Sequence, residues 1–170
     1  ESILINQKRL REHLDALVSD GHIRSGQKQD VINRGMEQAR HLLLDKRAEM
    51  RRLMGKRRVA YELSEIELIG SFRIRRLDDE NEVITEEFLY RKLAQRMGLP
   101  FVVLDPLQLD YKLVTESFGG PFAERHLVVT VEETKEAITI AMSKPWDNEL
   151  LQSIERVKGK SVRPIVAAKK

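Results

Sequence analysis

The chain has 170 residues, 41% hydrophobic and 34% charged, a composition that can bury a core as one ordinary domain or two small ones. It has no Cys, which excludes disulfides, thiolate metal sites and cysteine nucleophiles, and no apolar run approaches the roughly 18 to 20 residues of a membrane span. The net charge of +3 hides an asymmetry, because residues 1–60 carry 14 Lys and Arg against 8 Asp and Glu, whereas residues 61–170 carry 16 against 19. The opening Glu1-Ser-Ile-Leu-Ile-Asn6 lacks the basic start and long apolar stretch of a secretory leader, so a cytoplasmic chain is expected. Starting at Glu and ending in Ala-Ala-Lys-Lys directly after an apolar stretch, it is expected to be cut from a longer protein.

Ile3, Leu4, Leu10, Leu14, Leu17 and Val18 recur at helical spacing and predict a first helix, interrupted at Asp20-Gly21-His22. Ser25 reads as the N-cap of a second, long amphipathic helix through Val31, Ile32, Gly35, Met36, Ala39, Leu42 and Leu43, reaching Leu53-Met54 before Gly55. Its last stretch, Lys46 to Arg58, concentrates the basic excess of the first third. Residues 59–84 are poorly patterned and charge-dense after Gly70, which predicts a linker over 70–84. Thr85, followed by Glu86 and Glu87 at the positive end of a helix dipole, starts a helix that Gly98 ends.

Beyond Phe101 the period changes. Phe101 to Leu104 reads as a strand, Asp110 to Phe118 as a short helix stopped by Gly119-Gly120, and Pro121 as the start of another helical turn. Leu127 to Val131 and Ala137 to Met142 read as an antiparallel hairpin, and Asp147 caps a helix that Gly159 ends. Val162 to Val166 is a final strand in which Pro164 predicts an edge or bulge. The expected fold class is α+β: helical residues 1–69, a linker at 70–84, and a small α/β unit at 85–170 with a mostly antiparallel or mixed sheet.

The search for chemistry is mostly negative. Gly159-Lys160-Ser161 matches the end of a P-loop, but Ile154 stands where the first Gly belongs, and the triplet follows a helix instead of opening one. His13, His22, His41 and His126 form no pair at helical metal-ligand spacing, and no Gly-x-Ser-x-Gly elbow is present. No catalytic residue, metal site or cofactor is expected in this chain. The basic cluster contains Arg47, Arg51, Arg52, Arg57 and Arg58, without interleaved aromatic residues for base stacking, so it predicts an acidic protein partner and not nucleic acid.

The run from Ile84 to Asp105, ITEEFLYRKLAQRMGLPFVVLD, resembles the start of the N-terminal domain of type II secretion and type IV pilus assembly ATPases. The resemblance continues through Pro121 to His126, through Ala137 to Asp147 and from Gly159 to Val166, about residues 83–167 in all. It implies the non-catalytic N-terminal docking and regulatory domain of a cytoplasmic hexameric motor, whose ATPase domain would follow Lys170. Such a domain would sit at the inner membrane through an assembly protein. Some members of the family bind cyclic di-GMP through tandem segments of the form RLGxxLVxxGxI. Here Glu12-His13-Leu14 fill the first Arg-Leu-Gly positions, and in the second segment Arg73-Ile74-Arg75 stand there with Glu82 in place of the Gly and Arg96 in place of a later Gln. Close backbone approach to the dinucleotide favours Gly, which Arg75 and Glu82 do not supply. Arg73 and Arg75 are the residues that would meet guanine or phosphate if this alternative held.

Overall fold

The computed structural model describes residues 5–55, 63–105, 107–117 and 128–169, and the expected turn of helix at Pro121, with Arg57 and Arg58, lies outside them. Among the described residues are six helices and a four-stranded mixed sheet, an α+β fold. The chain divides into two compact units, residues 1–89 and 90–170.

In the first unit α1 spans Gln7–Ser19 and α2 spans Ser25–Met54. The Asn6 side chain accepts from the Arg9 amide at 3.0 Å and caps α1, which buries Leu10, His13, Leu14 and Leu17. The cap of α2 falls one residue earlier than expected: Arg24 is the N-cap, and its amide donates to Gln27 Oε1 at 2.8 Å, while Ser25 is already helical. The buried line of α2 is Val31, Gly35, Ala39 and Leu43. From Leu44 to Arg52 no residue of α2 is buried, so its basic end runs beyond its own packing.

The poorly patterned stretch holds a third helix, α3 (Glu65–Ser71), capped by Ser64 Oγ, which accepts from the Glu67 amide at 3.1 Å. Ile66, Leu68 and Ile69 are buried in it. Glu65 is only 8% exposed, and its Oε1 accepts from the Asn6 amide at 2.9 Å, so a carboxylate 59 positions away satisfies an amide at the start of α1. Gly70 allows a close approach to the start of α4 (Glu86–Met97), since a Cβ there would lie 3.1 Å from Glu86 Cγ. Thr85 Oγ1 accepts from the Phe88 amide at 3.1 Å, as the capping pattern predicts. The unit repeats one plan: a helix, a turn, and a buried Ile two residues before the next helix, Ile23 ahead of α2 and Ile84 ahead of α4.

The segment 70–84, expected as a linker, instead holds the end of α3 and then, over residues 72–84, a ribbon within the first unit. Arg75 bridges Val83, the Arg76 amide donates to the Glu82 carbonyl at 3.0 Å, and the Leu77 amide donates to the His22 carbonyl at 2.9 Å. Its charges lie on the ribbon's surface while its backbone amides are paired, a combination that a composition-based reading takes for an open loop.

In the second unit the strands are β1 (Phe101–Leu104), β2 (Val128–Glu133), β3 (Ala137–Met142) and β4 (Ser161–Lys169), in the order β1-β4-β3-β2. β2 and β3 pair antiparallel as expected, and β4 pairs parallel to both β3 and β1. The helices are α5 (Tyr111–Ser117) and α6 (Asn148–Lys158). Ile138, Ile140 and Met142, alternate residues of β3, form a core with Val128 and with Leu150 and Ile154 of α6. Asp147 caps α6 through the Leu150 amide at 3.1 Å, and Gly159 ends it at φ 63°.

Pro164 contradicts the expected edge or bulge, because β4 lies between β3 and β1. The pairing explains it. The Val166 amide donates toward β1, to the Pro100 carbonyl at 3.0 Å, so the nitrogen two residues earlier points the same way, and β1 pairing begins only at Val166. Pro164 therefore spoils no ladder hydrogen bond.

Candidate functional site

The basic residues of α2 are not brought onto one face. Arg47 and Arg51, four apart, share a side of the helix, whereas Arg52 lies about 100° round from Arg51. Arg51 and Arg52 are exposed in the last turn, where cations also complement the negative end of the helix dipole. The result is a positively charged helix end and not a pocket.

Arg73 and Arg75 are both exposed on the ribbon, and Arg73 holds φ at 49°, an uncommon conformation for a residue with a Cβ. Residues that the sequence did not single out lie beside them. Arg76 donates through Nε to Asp78 Oδ1 at 3.2 Å and through Nη2 to Asp78 Oδ2, and its guanidinium lies 4.5 Å from the centre of the Phe88 ring. His22 Nδ1 is 2.9 Å from the same Oδ1, with its ring edge-on to Phe88 at 4.9 Å. Hydrogen bonds from Arg76, and then from His22, hold the Asp78 carboxyl well below the usual carboxylate range. Asp78 raises Arg76 in return. The cluster fastens the ribbon to the turn between α1 and α2. Only the proximity of Arg76 to Asp78 was visible in sequence, and nothing in the sequence joins either to His22.

In the second unit Asp110, Lys112, Leu113, Glu116 and Glu133 line an open cleft, and Lys160 Nζ lies 3.0 Å from Glu133 Oε1. Lys160 belongs to the triplet that imitates a P-loop. In the structure that triplet is the left-handed cap of α6 leading into β4, so its backbone does not gather amides at a helix start. No group of three or more carboxylate or His ligands that could hold a metal occurs among the described residues. No described helix is long and apolar enough to cross a membrane.

Residues 97–170 match the family model of the MshEN domain. Over 63 residues, 37% of the chain, the sequence is 32% identical to the type IV pilus assembly ATPase TfpB of Acinetobacter baylyi. That match spans 11% of the relative's length. Two solved structures share the fold. A structure of MshE with cdg superposes at a TM-score of 0.52 and 19% identity over 91% of this chain and 88% of its own. The N-terminal domain of XpsE superposes at 0.50 and 14% identity over 93% of this chain and 87% of its own.

Proposed function

We propose that this chain, whose residues 97–170 match the MshEN domain model, is a non-catalytic docking and regulatory module of a type II secretion or type IV pilus assembly ATPase. The observation that carries the reading is the family match over the sheet unit, joined to a helical unit whose longest helix ends in unburied basic residues. In this reading an ATPase domain follows in the parent protein, which works as a hexamer. The partner is an acidic surface of an inner-membrane assembly protein, which holds the module at the cytoplasmic face. Arg47, Arg51 and Arg52, with Arg57 and Arg58 beyond them, supply the electrostatic docking surface, which acts on encounter rate and partner choice more than on final affinity. Co-purification with the assembly protein of the same secretion or pilus system tests it. Reversal of Arg51, Arg52, Arg57 and Arg58 to Glu is expected to weaken the complex, and an unchanged complex would move the docking surface elsewhere.

The likeness to MshE with cdg favours a second reading, in which the module senses cyclic di-GMP. Arg73 and Arg75, exposed on the ribbon, would then meet its phosphates or guanines. Isothermal titration decides it: heat that Arg73→Ala abolishes supports the reading, and no heat at high micromolar dinucleotide removes it.

A further inference from the structure

Beside its buried line, α2 carries a second line, Met36, Arg40, Leu44, Ala48 and Arg51, at steps of four, four, four and three that keep one side of a helix. All five are exposed, Met36 at 42% and Leu44 at 60%. The neighbours of α2 lie elsewhere. Ser71 Oγ accepts from Gln38 Nε2 at 3.2 Å, and the Arg34 guanidinium lies 5.4 Å from the centre of the Phe72 ring, so the end of α3 and the start of the ribbon meet another side of the helix. The start of α1 is level with the first residue of the line, where Gln7 Nε2 reaches Met36 Sδ at 3.9 Å. From Met36 to Arg51 the line runs 15 residues, about 22 Å along the helix axis.

The chemistry of the line describes its occupant. Two large apolar side chains and a small one, set along a narrow straight stripe, suit a second helix laid lengthwise, as in a coiled-coil seam, better than a loop or a strand. Arg40 and Arg51, set among them, call for carboxylates on that helix. Arg47, close to the same line, is already engaged within the chain and is not needed. Glu37 and Asp45, exposed on the next side of α2, repel a carboxylate placed there and so decide which flank of the line the occupant's acids take. An anionic membrane is the poorer fit, since α2 has no Trp, Tyr or Phe to anchor it, and Met36 and Leu44 are the only exposed large apolar side chains among its described residues.

We propose that the Met36 to Arg51 side of α2 seats one acidic amphipathic helix of the assembly protein, with apolar side chains against Met36 and Leu44 and carboxylates on Arg40 and Arg51. The inference rests on the docking reading and deepens it, from a charged surface that draws the partner in to the element that seats there. Arg52 lies about 100° round from Arg51 and stays outside the contact, adding only long-range attraction.

Binding kinetics of the 170-residue chain on the cytoplasmic part of the assembly protein test it. Leu44→Asp and Arg40→Glu, both at exposed sites, should each raise the dissociation rate at least tenfold, whereas Arg52→Glu should slow association and leave dissociation within about twofold. A photoreactive benzoylphenylalanine in place of Leu44 should capture one segment of the assembly protein, acidic and with apolar residues three and four apart. Failure of the wild type to bind would overturn the docking reading and this inference together. A complex whose dissociation ignores both Leu44→Asp and Arg40→Glu, or capture of a segment without that pattern, would overturn this inference alone. So would capture of lipid in place of the assembly protein when phosphatidylglycerol vesicles are present.

Discussion

Both units bury apolar cores, but the sheet unit is organised by strand alternation, whereas the helical unit adds polar clasps between positions far apart in the sequence. In residues 90–170, alternate residues of β3 meet α6, and the capping residues Asp147 and Gly159 bound that helix from next door in the sequence. In residues 1–89 the defining contacts join distant positions: Glu65 with the amide of Asn6, and Asp78 with His22. The family model matches residues 97–170. The difference between the units teaches how each is specified: the sheet unit by packing of residues close in sequence, the helical unit also by polar pairs that lie far apart in it.

The largest expected effect probes the packing side of that contrast. Ile140→Ala, at a fully buried site in the sheet core, should lower stability by about 2 to 5 kcal/mol in urea unfolding. Next comes a clasp: Glu65→Ala leaves the Asn6 amide without its acceptor and should cost about 1 to 3 kcal/mol, with Glu65→Gln costing less because an acceptor oxygen remains. If Glu65→Ala proved harmless, the distinction between the units would lose its main support. Removing a local cap, Asp147→Ala, should cost about 1 kcal/mol in the sheet unit.

The smallest effect is one of pH. The carboxyl of Asp78 is held low in the folded chain, so its contribution is present above the unfolded value of about 4 and is lost as the pH falls below it toward the folded value. Asp78→Asn should therefore flatten the acid limb of the helical unit's stability. It should also speed hydrogen exchange of the Leu77 amide at neutral pH, where the wild-type ribbon is fastened.

What was legible in the sequence follows the same division. The antiparallel β2–β3 hairpin, the α6 caps and the Thr85 cap were visible because each is decided by neighbours within a few residues. The seven-residue α3 was missed, since two turns carry too little periodicity, and its buried Glu65 looks solvated until Asn6 is placed against it. Pro164 misled because the strand ladder that decides its cost depends on where β1 stops, a fact of register and not of composition. Of the candidate site residues, the run of basic residues was plain, but which of them share a helix side follows only from the geometry. The His22–Asp78–Arg76 cluster spans 56 positions and has no local signature.

The most direct test of the docking role is hydrogen exchange of the chain alone and in complex with the cytoplasmic part of its inner-membrane assembly protein. The account predicts slowed exchange in residues 44–55, at the basic end of α2, with β2, β3 and β4 unchanged. Slowing confined to the sheet strands and α6, with α2 exchanging as it does alone, would contradict it.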